Sequence, residues 1–331
     1  MSSPTLEEVA AVAGVSRATV SRVINDSPKV SPAVRATVEA AIAQLGYVPN
    51  RAARSLVTRR TDSIGLVVSE PEALVFSDPF FAGIVRGVSG ALADTSMQLV
   101  LVIAQTAGQR KKLEQYVLNG HVDGVLLVSL HGDDPLPAGL AAAGVPAVLV
   151  GRPVRDVPLT WVDADNRGGA TAAVRHLLGQ GRRRIATITG PQDMSAGVDR
   201  LDGYRDALPG PDAALIEIGD FSEESGVRAM TALLDREPGL DAVFAASDLM
   251  AAGALRALRA AGRGVPDEVA VIGFDDSIIA RQTDPALTTV RQPVNELGRE
   301  VTRRLLEMIG TGDAPAPGLV LPTELVVRGS A

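Results

Sequence analysis

The chain has 331 residues, 46% of them hydrophobic and 21% charged, enough for two or three packed domains. It has no cysteine, which excludes disulfides and thiolate chemistry, and its net charge is −7. No apolar run approaches a membrane span and no apolar stretch precedes the first helix, so a cytoplasmic protein with neither anchor nor signal peptide is expected.

The charge is unevenly placed. Residues 1–60 hold 8 Lys and Arg against 4 Asp and Glu, a balance of +4, and the remaining 24 basic and 35 acidic residues give −11. A basic head on an acidic body can still attract phosphates, because salt screens the body's field beyond about 8–10 Å.

From Thr5 to Asn25 the chain reads as two short helices joined by a tight turn. Thr5 and Glu8 have capping-box spacing, and Leu6, Val9, Ala10 and Ala13 fall on one helical face. Gly14 supplies the turn and Ser16 caps the second helix, with Val20, Val23 and Ile24 inward. Ser16, Arg17, Ala18, Ser21 and Arg22 are left outward. That face fits a DNA major groove, where Arg grips guanine in a bidentate pair and small neighbours permit close approach. A helical hairpin with a solvated basic face is the plainer alternative. Ser31 and Pro32 open a third helix whose stripe is Val34, Val38, Ala41, Ile42 and Leu45, and Gly46 ends it. After the extended exit Tyr47–Asn50, the stretch Asn50 to Leu56 fits either two helical turns or a flexible basic linker. The residues alone leave both open.

From Ser63 apolar runs of strand length alternate with helical stretches: SIGLVV, MQLVLVI, VDGVLLV and VPAVLV, then RRIATIT, AALIEI, DAVFAA and VAVIGF. Helices fit near 80–94, 109–119, 136–143, 167–180, 198–208, 222–235 and 248–262. Two βα series in tandem predict two parallel-sheet subdomains with a cleft between them. A last helix, PVNELGREVTRRLLEMIG, and one strand, LVLPTELVVR, follow.

The motif T-x-x-x-V-A-x-x-A-G-V-S-x-x-T-V-S-R-V-x-N at Thr5–Asn25 resembles the helix-turn-helix of the LacI family of bacterial transcription regulators. V-S-P-x-V-R-x-x-V-x-x-A-I-x-x-L-G-Y-x-P-N from Val30 to Asn50, then RAARSL, continues the likeness, which covers nearly the whole chain. The resemblance implies a small all-α helix-turn-helix head plus an α/β body of two doubly wound parallel-sheet subdomains, similar to periplasmic sugar-binding proteins. It implies a head at 1–47, a hinge helix at 48–60, a first subdomain at 61–162 and 291–321, and a second at 163–290 and 322–331. It also implies that the hinge folds on operator DNA, entering the minor groove as a dimeric pair with Leu56 wedged between base pairs. Base contacts are expected from Arg17, Ala18 and Arg22. Phosphate contacts are expected from Thr5, Ser16, Ser21 and Asn25. Thr19, Tyr47, Asn50, Arg51, Ala53 and Arg54 complete the expected DNA surface. No leucine heptad follows the last strand, so a homodimer on a palindromic double-stranded operator is expected.

Ligands of such sheets lie outside the carboxyl ends of strands. Ser77–Phe81 resembles the family's polar-aromatic motif beside the cleft, giving Asp78 and Phe80, with Phe81 open to a core role. Arg152 follows the fourth strand. The resemblance matches Arg200 to an effector-binding Arg and Phe221 to a stacking aromatic. Asp248, Asp275 and Gln292 follow later strands, and Asp248 also fits a helix cap; Trp161 is read as structural. Carboxylates and Arg that bond vicinal hydroxyls, with an aromatic on the ring face, suit a small sugar. Purine-binding members carry Arg and Thr where this chain has Asp193–Ala196, which disfavours a nucleobase.

The three histidines, His121, His131 and His176, form no metal spacing with Asp or Glu, and no phosphate loop, G-x-G-x-x-G or G-x-S-x-G motif occurs. No cofactor, metal or catalytic residue is expected. The expectation is a repressor released from its operator by a carbohydrate inducer. The alternative is a corepressor-dependent or activating regulator with a nucleobase, nucleoside or sugar-phosphate effector.

Overall fold

The computed structural model describes residues 4–24, 27–48, 60–132, 134–208, 210, 212–312 and 318–331. The chain forms two compact units, Met1–Asp62 and Ser63–Ala331.

In the first unit three helices build one small core: α1 (Leu6–Ala13), α2 (Arg17–Ile24) and α3 (Pro32–Leu45). The capping box at α1 is formed on both sides, Glu8 N–H reaching Thr5 Oγ1 at 3.3 Å and Thr5 N–H reaching Glu8 Oε2 at 2.7 Å. Gly14, in the left-handed region at φ 64°, ends α1 and turns the chain. Ser31 caps α3 with Pro32 at its first position, and Gly46 at φ 61° closes it. Val9, Ala10, Ala13, Val20, Val23, Val38 and Ala41 are buried together, as the helical spacing requires.

The second unit contains two six-stranded sheets. The first has strands β1 (Ser63–Val68), β2 (Gln98–Ile103), β3 (Gly124–Val128), β4 (Ala147–Val150), β5 (Thr160–Ala164) and β11 (Leu319–Leu321) in the order β11-β5-β4-β3-β1-β2. The second has β6 (Ile185–Thr189), β7 (Ile216–Ile218), β8 (Ala242–Ala245), β9 (Ala270–Asp275), β10 (Thr288–Arg291) and β12 (Glu324–Val326) in the order β12-β10-β9-β8-β6-β7. Among the described residues every pairing is parallel except β10 with β12. Helices cover both faces of both sheets, which is why strands such as β1 and β3 are buried along their whole length.

The helices of this unit are α4 (Glu72–Ser77), α5 (Pro79–Leu92), α6 (Ala107–Leu118), α7 (Leu136–Ala142), α8 (Asn166–Gly179), α9 (Ser195–Ala207), α10 (Glu223–Arg236), α11 (Asp248–Ala260), α12 (Ile278–Gln282) and α13 (Val294–Thr311). Phe81, Ile84 and Val88 of α5 share a core with Leu297, Val301 and Leu305 of α13. On the other face, Leu113 and Val117 pack with Leu136 and Leu140. The second sheet repeats the scheme, with Met230, Leu233, Ala254 and Leu258 on one face and Ala170, Val174, Leu177 and Tyr204 on the other.

The chain changes sheet three times, between Ala164 and Asn166, between Arg291 and Val294, and between Leu321 and Glu324. The last change corrects the sequence reading, which took Leu319–Arg328 as one strand. Pro322 has no N–H to give a ladder, so the run breaks into β11 and β12, which join different sheets. Strands β5 and β10 and helices α4 and α12 are also absent from that reading. In consequence α4 separates β1 from the Ser77–Phe81 motif, which the sequence had placed directly after the strand.

Helices α5 and α13 approach through glycine. A Cβ on Gly87 would run into the carbonyl of Asn295, and one on Gly298 would meet the Ile84 carbonyl and Gly87 itself. Gly87→Ala is therefore expected to lower stability by about 1–3 kcal/mol through overpacking. Gly90→Ala, on the exposed face of the same helix with open space around it, should raise stability by about 0.5–1 kcal/mol. Chemical denaturation of the two variants checks the pair, and equal effects would contradict the close approach.

Candidate functional site

Two surfaces bear on function, and the first is the outer face of α2. Val20 and Val23 are buried, which turns Arg17, Ala18 and Arg22 to solvent and leaves Thr19 and Ser21 half-exposed. Ser16 opens the helix, its hydroxyl accepting the Thr19 N–H at 3.2 Å. Arg17 pairs with Glu7 at 3.1 Å, but both side chains are well exposed and such a pair holds an arginine only weakly. Thr5 is occupied as the cap of α1, and Tyr47 packs partly against the head's core. Asn25, Asn50, Arg51, Ala53, Arg54 and Leu56 lie outside the described residues.

The second surface is a cavity of about 480 Å³ between the carboxyl ends of the two sheets. Asp78, Phe80, Arg152, Arg200, Phe221, Asp275 and Gln292 all line it. Arg200 extends from α9 and is 5% exposed. Its Nε donates to Asn166 Oδ1 at 2.9 Å, and its Nη1 donates to the Ala246 carbonyl at 2.6 Å and lies 3.7 Å from Asp275 Oδ1. The guanidinium stacks on Phe274 at 3.8 Å from the ring centre, with Phe221 at 5.8 Å. Burial works against its charge, and Asp275, Asp163, Asp78 and Asp248 counter that by Coulomb attraction.

The carboxylates are desolvated in turn. Burial pushes Asp78 up to about 6, opposed by the Phe80 N–H at 2.9 Å and by Arg200. Asp275 is raised well above the ordinary carboxylate range by burial, although Arg200 pulls the other way. Gln292, 6% exposed, donates to Asp275 Oδ1 at 2.6 Å. Phe221 sits in the left-handed region at φ 66°, and its ring fills the space that a Cβ on Gly190 would need. Asp275 at φ 122° and Ser129 at φ 54°, both on the cavity wall, share that strained conformation. Phe80 meets Phe81 edge to face at 5.4 Å, and Phe81 belongs to the first sheet's core while touching the wall. Arg152 forms an ion pair with Asp199 of α9, on the opposite side of the cleft.

The direct contact expected of Asp248 is corrected by its placement. It is fully buried at the start of α11, outside the cavity lining, while Ser247 provides the cap. Its oxygens accept the Thr289 hydroxyl at 2.6 Å and the Ser277 N–H at 2.7 Å, and its own N–H lies 3.4 Å from Asp275 Oδ2. It therefore braces the loop that presents Asp275. Trp161 packs in the first sheet's core.

Further polar wall residues fall outside the sequence reading, among them Glu70, Asp134, Arg155, Asp156, Asp163 and Asn166. Glu70 lies two residues past β1, where ligands of such sheets bind, ahead of the aromatic motif. Asp163 lies in β5 and Asn166 opens α8 just after it, behind a strand too short and polar to show as an apolar run. Among the described residues no cluster of three or more His, Cys, Asp or Glu is placed to hold a metal, and no helix is long and apolar enough to cross a membrane.

A helix-turn-helix head joined to a two-sheet body with a polar cleft defines a ligand-responsive DNA-binding regulator by its parts. The comparisons agree. Residues 5–50 match the bacterial regulatory proteins of the lacI family, and residues 174–331 match the periplasmic binding protein-like domain. The HTH-type transcriptional regulator CelR of Thermobifida fusca is 55% identical, over 99% of this chain and 98% of its own. A solved transcriptional regulator CelR–cellobiose complex superposes with a TM-score of 0.80 at 52% identity, covering 99% of this chain and 100% of that one. The lac repressor dimer bound to operator and the anti-inducer ONPF gives a TM-score of 0.85 at 30% identity, with 99% of each chain covered. The chain belongs to the LacI family of transcriptional regulators.

The buried carboxylates fix a pH response. Burial raises Asp248 from its ordinary 3.8 to about 7, so the folded state binds this proton more tightly than the unfolded chain does. Its contribution is favourable at low pH and is lost as pH rises from about 4 to about 7. Asp248→Asn, which keeps the shape without the charge, should flatten part of the decline in melting temperature across that window. An unchanged slope would show that Asp248 is not a source of it.

Proposed function

We propose that this regulator represses transcription from a two-fold operator as a homodimer in the cytoplasm, and that a neutral β-linked glucose disaccharide in the cleft releases it. It performs no catalysis on the sugar. The observation that carries the ligand class is the pairing of Arg200 and Asp275 with the Phe221 ring on one wall. The charged groups offer bidentate hydrogen bonds to vicinal hydroxyls, and the ring covers the apolar face of a pyranose. The wall carries six acids, Glu70, Asp78, Asp134, Asp156, Asp163 and Asp275, against three arginines, Arg152, Arg155 and Arg200. That excess suits a polyol and repels a phosphate ester. The cavity has room for two sugar rings, and the CelR relative has been solved with cellobiose. In the head, Arg17, Ala18 and Arg22 read bases, while Thr5, Ser16, Thr19, Ser21 and the hinge hold phosphates and the minor groove. The chain limits given above for head, hinge and subdomains divide these tasks.

Titration calorimetry with cellobiose, glucose, glucose 6-phosphate and adenine tests the ligand class. Cellobiose should bind and weaken operator affinity, and Phe221→Ala should bind it about tenfold less tightly, a loss of about 1.4 kcal/mol, while remaining folded. Adenine or the phosphate ester binding in place of cellobiose would overturn the sugar reading, and cellobiose that strengthens operator binding would make it a corepressor. On the DNA side, Arg22→Ala should cost about 1–3 kcal/mol and relax choice at one position of each half-site. A uniform loss over all operator variants would assign Arg22 to the phosphates.

A further inference from the structure

One histidine stands where the two subdomains meet. His131 lies in the loop after β3, in the first subdomain, and is about one-third exposed. Its Nε2 is 3.0 Å from Oε1 of Glu70, a 6%-exposed carboxylate in the cavity wall. Its Nδ1 is 3.1 Å from Oδ2 of Asp193, in the loop after β6 of the second subdomain. The backbone reinforces the crossing, Gly132 N–H donating to the Asp193 carbonyl at 2.8 Å.

A neutral imidazole has one N–H and one lone pair, so it can satisfy only one of two flanking carboxylates. The imidazolium satisfies both. The hydrogen bond that the ring donates to Glu70, with Asp193 adding to it, accordingly raises His131 to about 9 in spite of partial burial. Among the described residues the other charged groups at this corner are Asp78 at the head of α5, beside Glu70, and Asp134, paired with Arg110 of α6 at 3.9 Å. Among the described residues neither hydrogen-bonds the ring, and the side-chain hydrogen bonds of Glu70 run through Oε1 alone.

We propose that His131 is a positioning residue that makes sugar recognition and cleft closure one event. One ring nitrogen fixes the Glu70 carboxylate so that its second oxygen accepts a sugar hydroxyl. The other fastens Asp193 and with it the second subdomain. The ligand half of this proposal rests on the sugar reading above; the clasp itself does not. Asp193 lies outside the cavity lining and is half-exposed, so a role confined to the wall predicts that changing it leaves ligand affinity alone.

The experiment uses the whole chain and the variants Asp193→Asn and His131→Gln. Proton NMR of the ligand-free protein should show His131 titrating near 9, and in Asp193→Asn it should move down toward the ordinary value of about 6.5. Cellobiose affinity, by calorimetry at pH 7, should fall about fivefold or more in each variant. Wild-type affinity should decline between pH 7 and 10, as the ring loses its second proton, and the variants should lack that decline. A wild-type His131 titrating at its ordinary value overturns the clasp whatever the ligand is. Variants that bind cellobiose as wild type does, with the same pH profile, overturn the coupling. A wild type that takes no sugar while His131 still titrates near 9 overturns the sugar reading and with it the role of Glu70, and leaves the clasp standing.

Discussion

A guanidinium that keeps its proton, buried among carboxylates, is the constraint on which the cleft depends. Taking Arg200 out of water costs several kcal/mol, and the gain that offsets it has to be assembled from fixed partners. Those partners come from several elements. Asn166 stands at the first crossing between sheets, Ala246 follows β8, Asp275 ends β9, and Asp163 lies in β5. Asp78 adds its charge from the first subdomain. Since the partners are drawn from both sheets, the electrostatic balance belongs to the junction and not to either half. A change in the separation of the halves alters the company that Arg200 keeps, which ties charge at the site to shape of the body.

The same junction holds most of the unusual backbone. Ser129, Phe221, Asp275 and Asp276 follow or end strands of the two sheets, and all have positive φ. Strands buried on both faces leave little freedom at their ends, so the sheets can enforce conformations that a free loop would relax. Asp276 is held further by Arg291 and Arg328, and Asp275 by Gln292 and the amide of Asp248. Rigid sheets thus aim the side chains, and the resulting wall is preorganised rather than adaptive.

Much of this was legible from the chain. The head could be read in detail because its signals are local: Thr5 with Glu8, Gly14, Ser31 with Pro32, and Gly46 each act within a turn of themselves. The long apolar strands were equally plain. Short strands were not, because β5 and β10 carry threonine and aspartate where an apolar run would show, and they are strands only through their neighbours in the sheet. The break at Pro322 was visible as a residue but not as a change of sheet, since that depends on partners far away in the chain. In the site, most residues following strands were found where the strands were found. Asp163 and Asn166 fell in the gap left by β5, whereas Glu70 was missed although it lies just past β1, which its apolar run had marked. The bracing role of Asp248 needed three dimensions, because Thr289 and Ser277 reach it across sequence separations that no local pattern spans.

The order in which the sheets are completed has a bearing on how the chain is made. Strand β11 and helix α13, which finish the first sheet and its core, come after almost all of the second subdomain in sequence. As the polypeptide leaves the ribosome, the head has all its helices early, whereas β5 emerges as a bare edge with no neighbour on its outer side. A parallel edge left open during synthesis is an aggregation risk. Asp163, within β5, keeps a charge on that edge strand until β11 arrives to cover it.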